Sequence, residues 1–389
     1  MKNAHKRAID GHFSLSMRKA MEKLYRICAG VALIILSAIG ISAAQSQAKI
    51  PEISNVSISR PQFNASNGES LTIFFSLNQD SKITIRIYDP DHGLIRYLAH
   101  DKECKKGTNK EIWDGRDDHN DIVPDEAYFI TIEAQSGKFR TTYDPTMFSG
   151  GEEIYLNTAQ IDQEAGTVNY FLKKATRVLF RAGIENGPLL ITVDDWKPRP
   201  KGENTVYWNG IDDTGKIRIT SLPNFIMTVG GFELPENSVI AYGDKTTTYI
   251  EYRERVKPKE TKERGNLKRG GAALSRHYFI DRNRDRSPKV EIRFPSAANE
   301  QTLPQLKDRV IVQVDLSQED KKYFTMNQFE IVFAVDGQYF MEETNGYVPY
   351  NWSWDTTQFP DGEHFLTVNV ASLNDQIGAS SRKVVIKNH

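Results

Sequence analysis

The chain has 389 residues, of which 39% are hydrophobic and 26% charged, and its formal net charge is −1. This composition is that of a globular protein, and the length fits three domains of ordinary size. Residues 1–44 hold seven Lys or Arg and two Asp or Glu, so the rest carries about −6, which argues against a nucleic-acid-binding protein.

The N-terminal segment has the pattern of an export signal. Four basic residues precede an apolar run of 15 residues over 27–41, and small residues follow the run. The run is short for a membrane-spanning helix and typical of a signal-peptide core. We predict a signal peptide over 1–44, with Met17 or Met21 as the translation start, and an exported protein that is periplasmic or extracellular. An uncleaved single-helix anchor is the alternative, in which case the leader is the membrane contact.

The first unit after the leader is predicted to contain two strands that flank a tight turn, which we call a corner. Apolar and polar residues alternate over 82–89, which predicts a half-buried strand, and residues 127–134 are β-branched and aromatic. Between them stand Trp113, Asp114 and Gly115. The Trp ring can fill space between two sheets, the Asp side chain can bond nearby backbone N–H groups, and Gly permits a positive φ.

The same arrangement of strand, Trp corner and strand recurs twice along the chain. The corner residues are Trp208, Asn209 and Gly210 in the second copy, and Trp354 and Asp355 in the third. The flanking predicted strands are 176–182 and 225–229 in the second copy, and 330–337 and 364–370 in the third. Self-similarity of this kind indicates three copies of one β unit.

Further features of the first unit carry a resemblance. They are Ile58-Ser59-Arg60-Pro61, Tyr88-Asp89 before Gly93, the Lys106-Gly107 turn, and Val123-Pro124 before Tyr128. Together with the Trp113 corner, they make residues 51–136 similar to the immunoglobulin-like domain of the flagellar hook-capping protein FlgD. The family usually has Gly where this chain has Glu126.

Two further regions resemble related modules. Residues 152–245 resemble the FlgD-like module more loosely, and residues 288–389 resemble a bacterial Ig-like domain through their Trp354 corner and Val335-Asp336-Gly337 turn. The resemblance implies β-sandwich domains. It says little about function, because such modules serve as spacers, docking faces and adhesin segments.

We therefore predict an all-β protein of three tandem immunoglobulin-like sandwiches behind a signal peptide. The predicted segments are a leader over 1–44, a FlgD-like domain over 45–137, a linker over 138–152, a divergent FlgD-like domain over 153–245, a basic linker over 246–287 and a bacterial Ig-like domain over 288–389. Residues 251–290 hold 13 Lys or Arg against six Asp or Glu, which favours a solvated linker over a basic patch for an acidic partner. Docking on a neighbouring domain is the alternative for 276–285.

Two acidic clusters are candidate calcium sites. Asp281, Asn283 and Asp285 have the first three spacings of a calcium loop, but Arg286 and Ile292 stand where such a loop needs Gly and Glu. The other cluster contains Asp114, Asp117, Asp118 and Asp121, with Asp212 and Asp213 at the matching corner of the next domain. Weak calcium binding is one interpretation of both clusters, and solvated turn carboxylates are the favoured one.

No sequence motif predicts catalysis or a cofactor. The sequence contains no His-Glu-x-x-His, Cys-x-x-Cys or Gly-x-Ser-x-Gly pattern. Cys104 is the single cysteine after the leader and lies among lysines that would lower its pKa, although an ordinary loop thiol is the favoured interpretation. We predict a protein that is not an enzyme, and an enzyme of unrecognised type is the alternative.

The functional prediction is a non-enzymatic structural or interaction protein of the cell envelope. Its expected partner is an unidentified envelope protein. One alternative is a surface adhesin or carbohydrate-binding protein, in which Tyr347, Tyr350, Trp352 and Trp354 would form a sugar-stacking platform. Another is a flagellar hook-assembly scaffold, against which the predicted leader argues.

Overall fold

Most of the described chain belongs to three β-sandwiches. The computed structural model describes residues 49–244, 246–258, 260–262, 273–296 and 303–389, so the predicted signal peptide lies outside the described residues. Residues Pro51–His389 form one unit. Within the described residues, none of the helices is both long and apolar enough to span a membrane. The predicted all-β class is confirmed.

The first sandwich packs a three-stranded sheet on a six-stranded one. Its strands are β1 (Ile53–Ile58), β2 (Gln62–Asn64), β3 (Leu71–Leu77), β4 (Ser81–Tyr88), β5 (Leu94–Cys104), β6 (Gly107–Trp113), β7 (Glu126–Ser136), β8 (Phe139–Tyr143) and, from later in the chain, β16 (Val239–Tyr242). The small sheet has the order β1-β3-β6, and the large sheet has the order β2-β16-β7-β4-β5 with β8 paired to β7. Alternation along β3 and β4 places Ile73, Ile83 and Ile85 in the core.

The second sandwich has the sheets β10-β11-β14 and β13-β12-β15-β9. Its strands are β9 (Glu153–Leu156), β10 (Gln160–Asp162), β11 (Thr167–Leu172), β12 (Thr176–Ile184), β13 (Leu189–Arg199), β14 (Gly202–Tyr207) and β15 (Phe225–Glu233). Val178 and Phe180 of β12 face Trp208 in its core, as their alternation predicts.

The third sandwich has the sheets β17-β19-β22 and β18-β24-β23-β20-β21. Its strands are β17 (Val290–Arg293), β18 (Gln305–Leu306), β19 (Arg309–Leu316), β20 (Phe329–Val335), β21 (Gln338–Glu343), β22 (Tyr350–Asp355), β23 (Gly362–Ser372) and β24 (Ile377–Ile386). A short helix, α2 (Gln318–Phe324), follows β19 and is capped by the Ser317 hydroxyl.

Strand β16 crosses the predicted boundary between the first two domains. It follows the second sandwich in sequence, yet it pairs antiparallel with β7 and parallel with β2 of the first. Val239 and Ala241 lie in the first core. The predicted second domain over 153–245 therefore includes a strand of the first sandwich, because β7 has an edge that β16 covers.

The described parts of 246–287 differ from the predicted linker. Helix α1 (Tyr249–Val256) packs on the first sandwich, and Tyr252 is fully buried there. The 3-10 helix Arg276–Tyr278 packs Tyr278 against Phe232 of the second sandwich. Arg253 and Arg282 pair with buried carboxylates of the first sandwich, whereas other charged residues of this segment, such as Arg255 and Lys257, are exposed.

Contacts also join the second and third sandwiches. Asn369 accepts the Leu189 backbone N–H at 3.0 Å and donates to the Leu189 carbonyl at 2.8 Å, as a paired strand residue would. Phe365 of the third sandwich packs against the core of the second. The three sandwiches are therefore in continuous contact.

Cys104 ends strand β5 and is buried, so it does not lie in a loop. Burial raises the pKa of the thiol, and this outweighs the neighbouring Lys102. The lysines thus do not activate the thiol, contrary to one sequence-based interpretation.

Candidate functional site

The tryptophan corners of the first two sandwiches share one hydrogen-bond pattern. The Trp113 indole N–H donates to the Arg116 carbonyl at 2.9 Å, and the Trp208 indole N–H donates to the Ile211 carbonyl at 3.0 Å. Each acceptor belongs to the third residue after its Trp, so the chain folds back over the buried ring. Both rings lie in the cores of their sandwiches, which gives the corners a structural role.

The residue after each tryptophan fixes the turn. The side-chain oxygens of Asp114, Asn209 and Asp355 each accept the backbone N–H two residues later, at 3.2, 3.1 and 3.2 Å. Gly115 and Gly210 then adopt φ values of 75° and 76°, which residues with a Cβ rarely adopt. The side-chain types at these positions thus follow from the geometry of the turn.

The third corner has the carboxylate bond, made by Asp355, but lacks the indole hydrogen bond of the other two corners. Thr356 stands where the other corners have Gly, and its hydroxyl donates to the Asp308 carbonyl at 2.9 Å. The Trp354 indole N–H is buried and has no acceptor among the described residues. The third corner is therefore a looser copy, as its sequence indicates.

The aromatic cluster of the third sandwich divides between core and surface. The rings of Trp352 and Trp354 are stacked in the core with centroids 5.6 Å apart. Tyr347 is 58% exposed, and its ring meets that of the half-buried Tyr350 edge-on at 5.3 Å. The two tryptophans thus form core, the favoured interpretation of this cluster, whereas the two tyrosines of the alternative sugar-stacking platform present ring surface to solvent.

The acidic residues of the first corner accept hydrogen bonds from within the protein. Buried Asp117 accepts from two backbone N–H groups of its own loop, at 2.9 and 3.0 Å, and from the Tyr252 hydroxyl at 2.9 Å. Asp118 accepts the Tyr97 backbone N–H at 3.2 Å, and Asp114 pairs with an arginine of β5 at 2.7 Å. Asp117 is therefore a turn carboxylate, as the favoured interpretation has it, but it is buried and not solvated. In the alternative, weak calcium binding, an ion would compete with these donors.

The second predicted calcium cluster is folded around a histidine. Asp285 is buried, and its Oδ1 lies 2.8 Å from His277 Nδ1. The Asp281 carbonyl accepts the backbone N–H groups of Arg284 and Asp285, and the Asn283 side-chain oxygen is buried. In the described part of the chain, no three His, Cys, Asp or Glu side chains are grouped so that they could hold a metal ion.

A cluster of buried charged and phenolic groups, which we call the buried junction, lies where the first sandwich meets the second sandwich and α1. Its members are Asp89, Asp91, Glu126, Arg177, Tyr249, Arg253 and Arg282. Charged groups are costly to bury unless each one is paired, so these contacts fix the elements that carry them.

The turn between β4 and β5 supplies two carboxylates to the buried junction. Asp89 accepts a hydrogen bond from the Gly93 backbone N–H at 2.8 Å, which closes the turn, and another from Arg253 Nη1 at 2.5 Å. Asp91 accepts the Tyr249 hydroxyl at 2.9 Å and the Arg282 backbone N–H at 2.6 Å. One turn of the first sandwich is thus held by α1 and by the segment that precedes β17.

Burial governs the protonation of this turn. Loss of hydration raises the pKa of Asp89 to about 7, although Arg253 opposes the rise, and the neighbouring Asp91 charge adds to it. Burial also raises the pKa of Tyr249, and the negative charges of Asp89 and Asp91 act in the same direction. The Asp89 carboxyl therefore titrates near neutral pH.

A buried ion pair joins the first two sandwiches. Arg177 of β12 donates from Nη2 to Glu126 Oε1 at 2.7 Å and from Nη1 to Glu126 Oε2 at 3.1 Å. Burial disfavours the guanidinium charge, but Glu126 more than offsets this and raises the pKa of Arg177. Glu126 is the position at which the sequence departs from the FlgD-like pattern, so the departure coincides with an inter-sandwich contact.

A cavity of about 40 Å³ adjoins the buried junction. His277 lies on its wall, with its ring 4.3 Å from that of Trp196 and its Nδ1 bonded to Asp285. Space of this size holds a few water molecules and is far below the roughly 300 to 1,000 Å³ of small-molecule clefts. The His–Asp pair is therefore not accessible to an organic substrate.

A larger groove of about 700 Å³ opens between the first and second sandwiches. Its apolar surface includes Tyr242 of the first sandwich, Pro198 of the second and Ile250 of α1. Lys197 and Arg199 line the β13 side, and the Lys197 side chain is 59% exposed. This volume falls within the usual range for binding clefts, and such clefts favour domain interfaces.

Some of these features have a signal in the sequence. Thr248 and Glu251 form a capping box, in which each side chain bonds the backbone of the other, and this pattern predicts the start of α1. Tyr249, Tyr252 and Arg253 then follow at the spacing of one helix face. Their partners, 135 to 164 residues earlier, cannot be predicted from local patterns.

Comparison of the sequence with protein-family models and with curated proteins finds no match. Solved structures with similarity include an endo-β-1,4-mannanase from Thermotoga petrophila, which is 17% identical over 41% of this chain and 28% of that chain, with a TM-score of 0.21. A tetra-tandem repeat from the extending region of a large adhesion protein is 9% identical over 87% of this chain and 75% of that chain, with a TM-score of 0.19. A 1.5-MDa bacterial ice-binding adhesin is 12% identical over 88% of this chain and 99% of that chain, with a TM-score of 0.18. TM-scores this low assign neither a family nor a function.

Proposed function

We propose that the protein is an exported, non-enzymatic docking component of the cell envelope with a protein partner. The main support is that the sandwiches are fixed to one another by buried polar contacts. The Glu126–Arg177 pair joins the first and second, and Asn369 joins the third to Leu189 of the second. A scaffold that holds its surfaces in one geometry reduces the ordering cost of binding, which suits a docking role.

The groove between the first two sandwiches is the proposed docking site. It combines apolar walls at Tyr242 and Pro198 with the exposed Lys197, which pairs with Asp194 at 3.6 Å, and with the acidic Asp125 and Asp195, so a partner would meet apolar surface and charges of both signs. Interfaces of this kind draw affinity from the apolar centre and orientation from charges at the rim.

Affinity purification of the tagged full chain from crosslinked, fractionated cells tests this proposal. We expect one protein in fixed ratio with the wild type and with Lys110→Glu, an exposed charge reversal on β6 outside the groove. Lys197→Glu should reduce recovery severalfold, because it reverses the charge at the groove wall. Equal recovery with both variants would remove the groove as the site, and no protein in fixed ratio would contradict the docking role.

The FlgD-like relationship and the export signal form part of the same proposal. The paired corners of Trp113 and Trp208 support a common module in the first two sandwiches. Mass spectrometry of the purified protein would report its N-terminus, and we expect a start at Gln45 or Lys49. An intact leader in the soluble cytoplasmic fraction would contradict export and favour the flagellar hook-assembly scaffold.

A carbohydrate-binding role is the second candidate, and one observation favours it. Exposed Tyr347 and half-buried Tyr350 present ring surface beside each other on the third sandwich. Affinity electrophoresis in gels that contain cell-wall or extracellular polysaccharide tests this role. Retardation that is lost in Tyr347→Ala and kept in Tyr155→Ala, which removes an exposed ring from the second sandwich, would support it. Unchanged mobility in every polysaccharide would oppose it.

A further inference from the structure

One segment of the chain lies across the β4–β5 turn, and we call it the strap. It comprises the described residues from 248 to 262, beginning with α1. After the helix, the Leu94 N–H donates to the Glu260 carbonyl at 2.9 Å and the Lys262 N–H donates to the His92 carbonyl at 2.8 Å. The strap is therefore bonded to both sides of the turn.

Three side chains of α1 bond buried carboxylates of the first sandwich. The Tyr249 hydroxyl donates to Asp91, the Tyr252 hydroxyl donates to Asp117, and Arg253 donates to Asp89. Each of the three carboxylates is at most 4% exposed. Lifting the strap would remove one hydrogen-bond donor from each of the three carboxylates.

The strap also reaches the third sandwich. Glu254 Oε1 accepts from Lys322 Nζ and from the Tyr323 hydroxyl, each at 2.9 Å. Both partners lie on α2. One short helix thus connects the first sandwich to the third, so detachment of the strap would break this connection as well.

The Asp89 carboxylate under the strap is paired with one guanidinium. Arg253 Nη1 lies 2.5 Å from Asp89 Oδ2, and its Nε lies 3.9 Å from Asp91 Oδ2. Arg177 bonds Glu126 and also attracts Asp91, and Arg282 Nε lies 3.6 Å from Glu126. The phenols of Tyr128, Tyr249 and Tyr252 also face Asp89, and the buried His92 lies in the same turn. Full burial beside a second carboxylate favours uptake of a proton by Asp89.

We propose that the strap is a proton-controlled clamp, held on the first sandwich while the buried Asp89 carboxyl is protonated and loosened when that proton is lost. The direction follows from linkage. A carboxyl that is buried under the strap and exposed without it binds its proton more tightly in the closed state. Closure is then strongest in acid.

The pH range follows from the titration of Asp89. Burial raises its pKa from 3.8 to about 7, so closure weakens as the pH rises from about 4 to about 7 and is constant above that. With one proton involved, the closing constant falls about tenfold per pH unit within this range. An exported protein would meet such a range outside the cell.

Hydrogen–deuterium exchange of the full chain at several pH values tests the clamp. Exchange of peptides that cover 249–262 is corrected for the intrinsic pH dependence of amide exchange. In the wild type, strap protection should fall between pH 4 and 7 and then level off. Asp89→Asn should abolish the fall and leave the strap better protected than the wild type at pH 8, because the amide is neutral in both states.

Two further variants complete the experiment. Asp80→Asn removes an exposed carboxylate of the first sandwich away from the strap, and it should behave as the wild type. Arg253→Gln removes the cation that opposes the rise in the pKa of Asp89, so the decrease in strap protection should extend to higher pH. Arg253→Gln keeps both Asp89 and Asp91, so it tests the proposal even if Asp89→Asn fails to fold.

Three results would overturn the proposal. The first is strap protection that does not depend on pH in the wild type. The second is an Asp89→Asn strap that is less protected than the wild type at pH 8, which would mean that the Asp89–Arg253 ion pair stabilises closure. The third is an unchanged pH range in Arg253→Gln.

Discussion

Arg177 and Glu126 are 51 residues apart in sequence and form a two-bond ion pair between two sandwiches, with each side chain only 4% exposed. Because both side chains are buried, water cannot replace either partner in the ion pair. The Arg177 guanidinium also donates to the Trp196 carbonyl at 2.9 Å, so its loss would remove a donor from that carbonyl and leave Glu126 with only the Ala127 N–H at 2.7 Å and Arg282 Nε at 3.6 Å.

Removal of one member of this pair should be costly. We expect Arg177→Met to lower the free energy of unfolding by about 3–5 kcal/mol, because it removes both side-chain hydrogen bonds of a buried carboxylate. The double variant Arg177→Met with Glu126→Leu should lose less than the sum of the single variants, since no charge then remains buried alone. Urea denaturation of the four proteins measures the coupling, and strictly additive losses would show that the two side chains do not interact.

The Trp113 ring should be a principal source of stability in the first sandwich. It is fully buried, and its ring meets those of Phe63 and Tyr128 edge-on at 5.5 Å. We expect Trp113→Ala to destabilise this sandwich by about 3–5 kcal/mol, the usual cost of truncating a buried aromatic residue. Trp113→Phe keeps part of the ring and should lose clearly less. Thermal unfolding that is nearly unchanged in Trp113→Ala would contradict the packing seen here.

Two glycines of the first sandwich separate backbone strain from steric clash. Gly68 and Gly115 have φ values of 74° and 75°, but a Cβ at Gly68 would meet nothing within 4 Å, whereas one at Gly115 would lie 2.6 Å from the Ala65 Cβ. Gly68→Ala should cost about 1–2 kcal/mol from backbone strain. Gly115→Ala should cost more, because a neighbour must also move. Equal losses in chemical denaturation would mean that the corner yields freely.

The third sandwich should lose stability as the pH rises through neutrality. Burial disfavours the His364 charge, but the Asp336 carboxylate, 2.6 Å from Nδ1, and the Pro360 carbonyl outweigh it and raise the pKa of His364. A raised histidine pKa adds stability that is complete below the unfolded value of about 6.5 and is lost as the pH passes the folded value. We expect the midpoint temperature of thermal unfolding to decrease as the pH rises above 6.5, and we expect this decrease to be absent in His364→Gln. A fall of equal size in the variant would assign the effect to another group.

Strand positions could be predicted from the sequence because each strand shows its own alternation. The predicted strands over 82–89 and 127–134 are β4 and β7, with differences of a residue or two at their ends. The corners of Trp113 and Trp208 could likewise be predicted, since a turn that needs a short acceptor and a positive φ leaves few residue types.

The buried junction could not be predicted, because each of its groups depends on a partner distant in sequence. Asp89 and Asp91 look like ordinary turn carboxylates, and Arg253 looks like a surface charge in a basic segment. Burial gives them their role, and burial depends on where α1 packs. The same limit applies to β16, since nothing within its four residues indicates the sheet that it joins.

The position of β16 has a consequence for how the chain matures. A chain that emerges from a ribosome or an export channel does so from its N-terminus, so residues 53–143 appear well before Val239–Tyr242. Until then, the edge of β7 at Glu126–Tyr128 has no partner on that side. An unpaired edge can recruit a strand from another molecule. The nascent first sandwich would thus be the stage at which this protein most needs a chaperone, and a fragment that stops at Tyr143 would keep that need permanently.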